Sequence, residues 1–312
     1  GNNLGSDTRK MGIEKREKIA GLLLVSPWIV GFLLFGLFPM GVSGYLTFVK
    51  WDFLRDPQWV GLSNFQEVFR NPIFYTALKN TLIITFGSSL IYLVFGVIIA
   101  AMLAKDYLGS NVFRAIIFLP SLVIGTALAM MMQPVFGNGK YGLLNQVLNL
   151  LGLPYQSWLT EPGQAVWVIV AMSFWFLGSG VIIYLAGIKG IDPSYFEAAM
   201  IDGANGLQQF YKVTIPLLTP VLLFQSIMGI IGGLQVFDLA LTLASEFKTG
   251  GMGNENSLAT LVFYLYTLAF RDYNMGSAAV VGWVIFIVSL LLSLVIFRLS
   301  KKFQLFGEEE SK

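Results

Sequence analysis

The chain has 312 residues, of which 55% are hydrophobic, 14% aromatic and only 12% charged, with a mean hydropathy of +0.70; a soluble domain carries about 25% charged residues. A single core stops growing near roughly 250–300 residues, so this much apolar surface needs lipid as part of its solvent, which argues against a soluble enzyme. Cys and His are both absent, and 20 basic residues stand against 18 acidic ones with no long basic run. Disulfides, thiolate metal sites and Ser/His triads are therefore excluded, and a nucleic-acid partner finds no electrostatic footprint.

An unpaired charge at mid-bilayer costs about 2.5–3.5 kcal/mol, so long uncharged intervals mark the spans. Six of them hold at least 25 residues: 19–49, 80–104, 115–139, 162–188, 213–237 and 273–297. About 20 helical residues cross the hydrocarbon, so all six can span, and no internal repeat is evident among them. The polar first ten residues are set aside from the fold reading. The first interval is too long for a signal h-region and lacks an evident small-residue cleavage site, so it is expected to stay as an anchor.

Two shorter uncharged stretches compete. In 141–160, Leu143, Leu144, Val147, Leu148 and Leu151 keep to one helical face before Gly152 and Pro154 break the pattern, which predicts a helix lying on the surface. The fifteen residues 256–270 would reach about 22 Å as a helix, short of the roughly 30 Å core, and read as interfacial or re-entrant.

Six crossings put both termini on one side. That side carries 13 basic residues: Arg9, Lys10, Lys15, Arg16, Lys18, Lys105, Arg114, Lys189, Lys212, Arg298, Lys301, Lys302 and Lys312. The other carries seven, namely Lys50, Arg55, Arg70, Lys79, Lys140, Lys248 and Arg271. The positive-inside rule then places both termini in the cytoplasm. The expected organisation is a tail over 1–18, an all-α six-span membrane domain over 19–300, and a tail over 301–312.

The long inner loop, 189–216, is strongly punctuated. Ser194 with Glu197 matches a capping box, Pro193 stiffens the entry, Gly203 fits a left-handed helix stop, and Asn205 with Gln208 can cap a second helix. Tyr195, Phe196, Ile201, Leu207, Phe210 and Tyr211 exceed what two short helices can bury alone, so something should cover them.

Within that loop, Glu197-Ala198-Ala199, then Asp202-Gly203-Ala204, Phe210, Val213, Ile215 and Pro216 resemble the EAA loop of binding-protein-dependent ABC importer permeases. Trp59 to Phe65, Asn80-Thr81-Leu82, Leu119-Pro120 and Gln235-Val236-Phe237-Asp238 resemble, more weakly, the maltose-type carbohydrate branch. The resemblance covers nearly the whole chain and implies a type I permease subunit in a bacterial or archaeal inner membrane. It also implies a second permease (a homologous different chain), two ATPase subunits that hold the ATP and Mg, and an extracytoplasmic solute-binding protein. No cofactor, metal or catalytic residue is expected on this chain.

In that family the loop is a coupling helix seated on the ATPase. The resemblance assigns this surface to Glu197, Ala198, Ala199, Asp202, Gly203, Ala204, Leu207 and Phe210, with Glu197 as the charged contact, the alanines permitting close approach and Gly203 the bend. Asn205 and Gly206 depart from the usual pattern. Spacing alone leaves a second reading, in which Glu197 caps its own helix and Gly203 only turns the chain. No G-x-x-x-x-G-K-[ST] phosphate cradle is present, so ATP must bind elsewhere. The spans also lack the acidic or His pairs of ion-coupled carriers.

Uncharged spans suit a neutral solute. By distance from Glu197 and from Phe237, the family's substrate contacts fall at Trp175, Phe176, Ser179, Gly229, Gly233, Gln235 and Val236. Sugars stack apolar ring faces on aromatics and need partners for their hydroxyls; the same small residues at helical spacing also read as close packing. Asp238 reads either as an exit group or as a helix-end carboxylate. The function expected is import of a neutral carbohydrate, coupled to a separate ATPase. The rivals are a secondary carrier or channel that needs no ATPase, a membrane enzyme and a scaffold.

Overall fold

The computed structural model describes residues 4–105, 109–245 and 251–309, with side-chain surroundings over 17–300 of these. Lys248 and Lys312 of the charge balance lie outside the described residues, as do the side chains of Arg9, Lys10, Lys15, Arg16, Lys301 and Lys302. Five helical stretches are long and apolar enough to span: 17–46, 72–104, 162–189, 219–244 and 275–300. A sixth is a broken pair, α5 (Ser110–Phe118) with its 3-10 extension to Leu122, followed by α6 (Gly125–Met132), bent by 92°. The interval expected as a continuous third span is thus interrupted. Pro120 supplies no amide, and Val123 and Ile124 are extended, so the helical ladder cannot continue.

The first span joins α1 (Leu4–Phe32) through a π segment, Leu33–Leu37, to α2 (Phe38–Leu46). Its most apolar window is buried nowhere, and it packs on the body through α2 against the last span. A short hairpin comes next, β1 (Val49–Lys50) pairing antiparallel with β2 (Gln58–Trp59), then α3 (Ser63–Arg70). This is a small addition to an otherwise helical architecture.

The core is organised by α4 (Pro72–Ala104). It starts where the Asn71 side chain accepts the Ile73 amide at 2.9 Å and Pro72 takes the first helical position. Packed around it are α8 (Pro162–Met172), α9 (Leu177–Lys189), α13 (Thr219–Leu234) and α15 (Leu261–Tyr266), while α16 (Met275–Glu309) closes on α13 and α15. α1 and α16 run on as helix from Leu4 and to Glu309, through the stretches expected as tails.

The end of the molecule that carries β1, β2 and α15 is laced by buried polar side chains. Asn80 donates from Nδ2 to the carbonyls of Ser257 and Ala259 at 3.1 and 3.0 Å, and the Thr81 hydroxyl accepts the Leu261 amide at 2.9 Å. Asn64 donates to the Thr47 and Val49 carbonyls at 2.9 and 3.0 Å. The motif residues around 64 and 80 therefore satisfy backbone groups that helices and strands leave unpaired.

α7 (Leu143–Leu150) forms where a surface helix is expected: Leu143 and Val147 are exposed, Leu144 and Leu148 half-buried, and the fully buried residue of the helix is Asn145. Asn145 donates to the carbonyls of Gly137, Gly139 and Gln156 and accepts the Gln156 amide and the Trp158 indole N–H. The helix is seated by a polar hub as well as by Leu144 and Leu148.

Candidate functional site

Two regions carry the sequence-predicted residues. The first is the hairpin of α10 (Pro193–Ile201) and α11 (Gly206–Gln209), leading through a π segment, Phe210–Thr214, into α12 (Ile215–Leu217). The α10 cap differs from the expected one. Asp192, not Ser194, stands at the N-cap, its carboxylate accepting the Ser194 amide at 2.9 Å. That bond holds the Asp192 carboxyl below its ordinary value. Pro193 at the first helical position shifts the cap upstream, because Ser194 is already inside the helix. Glu197 is thereby released from capping; it is exposed and makes no hydrogen bond or ion pair among the described residues.

Gly203 has φ +79, with its amide bonded to Met200 O and the next amide, of Ala204, to Ala199 O. These two bonds form a Schellman stop, which a side chain at this φ would strain. Asn205 and Gln208 make the reciprocal box as expected, at 2.8 and 2.9 Å. The hairpin is shaped by its own chain and little covered by it: Phe196 and Phe210 are half-buried, Phe210 against the ends of α4 and α9. α10 and α11 bury no residue, and Tyr195, Met200, Ile201, Leu207 and Tyr211 are exposed.

The second region lies between the spans. The fourth span is interrupted by a 3-10 turn, Ser173–Phe176, which rotates α9 relative to α8. The fifth breaks at Gln235–Phe237 before α14 (Asp238–Ala244). The break frees the Val236 carbonyl, which accepts the Thr260 hydroxyl at 2.8 Å. Both interruptions fall on the residues proposed to face the solute.

Of those residues, Phe176, Ser179 and Gly229 come together around a cavity of about 200 Å³, with Tyr92 of α4 and Gln225 and Met228 of α13 completing its wall. Tyr92 and Gln225 were not singled out in the sequence. Their signal is that of isolated polar residues in apolar spans, which spacing from Glu197 does not register. Trp175 is half-buried beside this wall, with an indole N–H that finds no partner among the described residues. Gln235 is exposed and Val236 half-buried at the break, away from the cavity.

Gly233 stands apart from the other candidates. It is buried, and a Cβ there would come within 2.6 Å of the Thr85 Cα, so its place is the close approach of α13 to α4. Asp238 opens α14, where a carboxylate complements the helix N-terminus, in keeping with the helix-end reading.

A solved structure titled as a bacterial ABC transporter involved in the import of the acidic polysaccharide alginate superposes on this fold with a TM-score of 0.77, covering 94% of this chain and 99% of that one at 24% identity. The probable ABC transporter permease YesP of Bacillus subtilis is 34% identical over 95% of both chains. The lactose transport system permease LacF of Rhizobium radiobacter is 33% identical over 95% of this chain and 98% of its own. Residues 92–304, from the cavity wall at Tyr92 through the hairpin and into the last helix, match the family model of the binding-protein-dependent transport system inner membrane component. With two thirds of its length inside that model and relatives matched almost end to end, this chain belongs to the family of binding-protein-dependent transport permeases.

Proposed function

We propose that this permease carries a neutral sugar or oligosaccharide inward across a bacterial or archaeal cytoplasmic membrane, with both termini and the hairpin in the cytoplasm. The substrate class is supported by relatives whose names specify lactose, arabinooligosaccharides and trehalose/maltose. It is also supported by the lining of the 200 Å³ cavity, where hydroxyl, phenol and amide groups of Ser179, Tyr92 and Gln225 lie beside the Phe176 ring and no charged group is among the lining residues. Polar groups that can pair with hydroxyls beside a flat apolar face suit a sugar ring.

One permease domain over 19–300 includes the coupling loop 189–216, with tails over 1–18 and 301–312. It pairs with a homologous second permease, two ATPase subunits and an extracytoplasmic binding protein, and the nucleotide and Mg reside on the ATPase. The observation that carries the coupling assignment is the bare outer face of the hairpin, a pre-shaped helical turn on which Tyr195, Met200, Ile201 and Leu207 are exposed and Glu197 has no hydrogen bond or ion pair among the described residues. ATPase closure would act on Glu197, Ala198, Ala199, Asp202, Ala204, Leu207 and Phe210, and Gly203 would keep the bend.

Purification with bound companions, followed by reconstitution, tests the reading. ATP-dependent accumulation of a neutral oligosaccharide delivered by the binding protein is expected. Uphill transport by this chain alone, without nucleotide, would overturn it in favour of a secondary carrier.

A further inference from the structure

Three hydroxyl residues of α4 lie within five positions of one another, and one of them behaves differently. Thr85 and Ser88 turn their hydroxyls back on the carbonyls one turn earlier, of Thr81 at 2.7 Å and Ile84 at 2.6 Å, the ordinary way for a hydroxyl to be satisfied inside an apolar helix. Ser89 does not. Its Oγ lies 3.2 Å from where a Cβ on Gly229 of α13 would stand, and it is shut off from solvent with no hydrogen-bond partner among the described residues. Gly229 and Tyr92 both belong to the wall of the 200 Å³ cavity. Ser89 precedes Tyr92 by three residues, about 4.5 Å along α4, on the side away from the hairpin. The bare Cα of Gly229 is thus what leaves the approach from the cavity to this hydroxyl clear. On the α9 side of the cavity, Trp175 precedes Ser179 by four residues, and its indole N–H is likewise buried and unpartnered.

We propose that Ser89 is a solute-contact residue. When a sugar occupies the cavity, one of its hydroxyls passes Gly229 and pairs with the Ser89 Oγ, and the Trp175 N–H donates to a second solute oxygen. A buried polar atom left without a partner is costly, and a serine that could close the bond to its own helix but faces a side-chain-free position instead is placed for a partner that comes and goes. A sugar hydroxyl fits that place, because it can both donate to and accept from a serine. The contact would extend the recognised length of the solute by about one helical turn beyond the cavity. The inference rests on the reading of this cavity as part of the sugar path.

The test uses the full chain with its co-expressed partner subunits in proteoliposomes, supplied with the binding protein and offered radiolabelled lactose, trehalose and maltose; the sugar taken up fastest serves as the probe. Ser89→Ala is expected to lower kcat/KM for uptake about three- to tenfold, the effect of one hydrogen bond between neutral groups, with no fall in the thermal midpoint. Ser88→Ala, whose hydroxyl is already engaged by the Ile84 carbonyl, is the control and should leave uptake as it was. Gly229→Ala sets a methyl across the approach and should lose about as much as Ser89→Ala, with the second substitution costing nothing further on that background. Uptake by S89A within about twofold of the unsubstituted complex, an equal loss in S88A, or additive losses in the double variant would each overturn the proposal. Accumulation of none of the three sugars by the unsubstituted complex would instead overturn the sugar-path reading, and this inference with it.

Discussion

The two ends of the molecule solve the same problem differently. At the end carrying β1, β2 and α15, irregular backbone is satisfied from within: Asn64, Asn80, Thr81 and Thr260 each bond carbonyls or amides, from other parts of the chain, that regular structure leaves unpaired. At the hairpin end the backbone is equally well finished, by the Asp192 cap, the Gly203 stop and the Asn205–Gln208 box, yet α10 and α11 bury nothing. One end is completed by its own side chains, whereas the other is a shaped surface on which the proposed coupling would act. Stability should therefore respond to substitutions at the first end, and transport to substitutions at the second.

The strongest challenge to that contrast is Asn80→Leu. It leaves the Ser257 and Ala259 carbonyls unsatisfied in a buried place, at about 1–3 kcal/mol each, so a clear drop in thermal midpoint in detergent and new protease sensitivity near 251–260 are expected. Wild-type stability would break the contrast. Next is Gly203→Val, where a β-branched residue is forced to φ +79 at a cost of about 1–2 kcal/mol. The spans should stay folded while ATP-driven uptake falls at least about tenfold, as read by uptake in proteoliposomes against a thermal melt.

Gln225→Leu removes an amide from the small cavity and should raise the KM for uptake several-fold, with little change in stability. Glu197→Gln sharpens the comparison further: with Asp192 as the cap, the melt should be unchanged while the ATPase co-purifies less well. The smallest effect concerns pH. The Asp192 carboxyl is depressed below its ordinary value of 3.8 by the Ser194 amide. Its contribution to capping is therefore present above that value and lost only as pH falls through the lower folded value. Protection of the Ser194 amide, read as exchange relative to the intrinsic rate at each pH, should persist to below pH 3.8 and be lost only as pH falls further, and Asp192→Asn, which retains an accepting oxygen, should flatten the response.

The spans and the hairpin were legible in the sequence because their signals are local: runs without charge, a glycine at a helix stop, an Asn and a Gln three residues apart. What escaped was set by tertiary contacts. The helix around 143–151 forms on the surface as its leucine periodicity predicts, but the five hydrogen bonds at Asn145 that seat it leave no periodic signal. The capping box at Ser194 is a valid local pattern that loses to Asp192, because Pro193 begins the helix one step earlier. Hydropathy counts residues across a bend, so it reads 115–139 as continuous and misses the 92° break. Tyr92 enters the cavity wall only because α4 and α13 pass close to one another, with Gly233 against Thr85.

The first helix has a consequence for biogenesis. Its apolar window is buried nowhere, and α2 is its hold on the remaining fold. During synthesis it leaves the ribosome before α16, the element that α2 packs against, has been made. It therefore spends the whole of translation as a lone rod in lipid, fastened late and at one end, and in that interval quality-control proteases of the membrane would find their earliest grip on the nascent polypeptide.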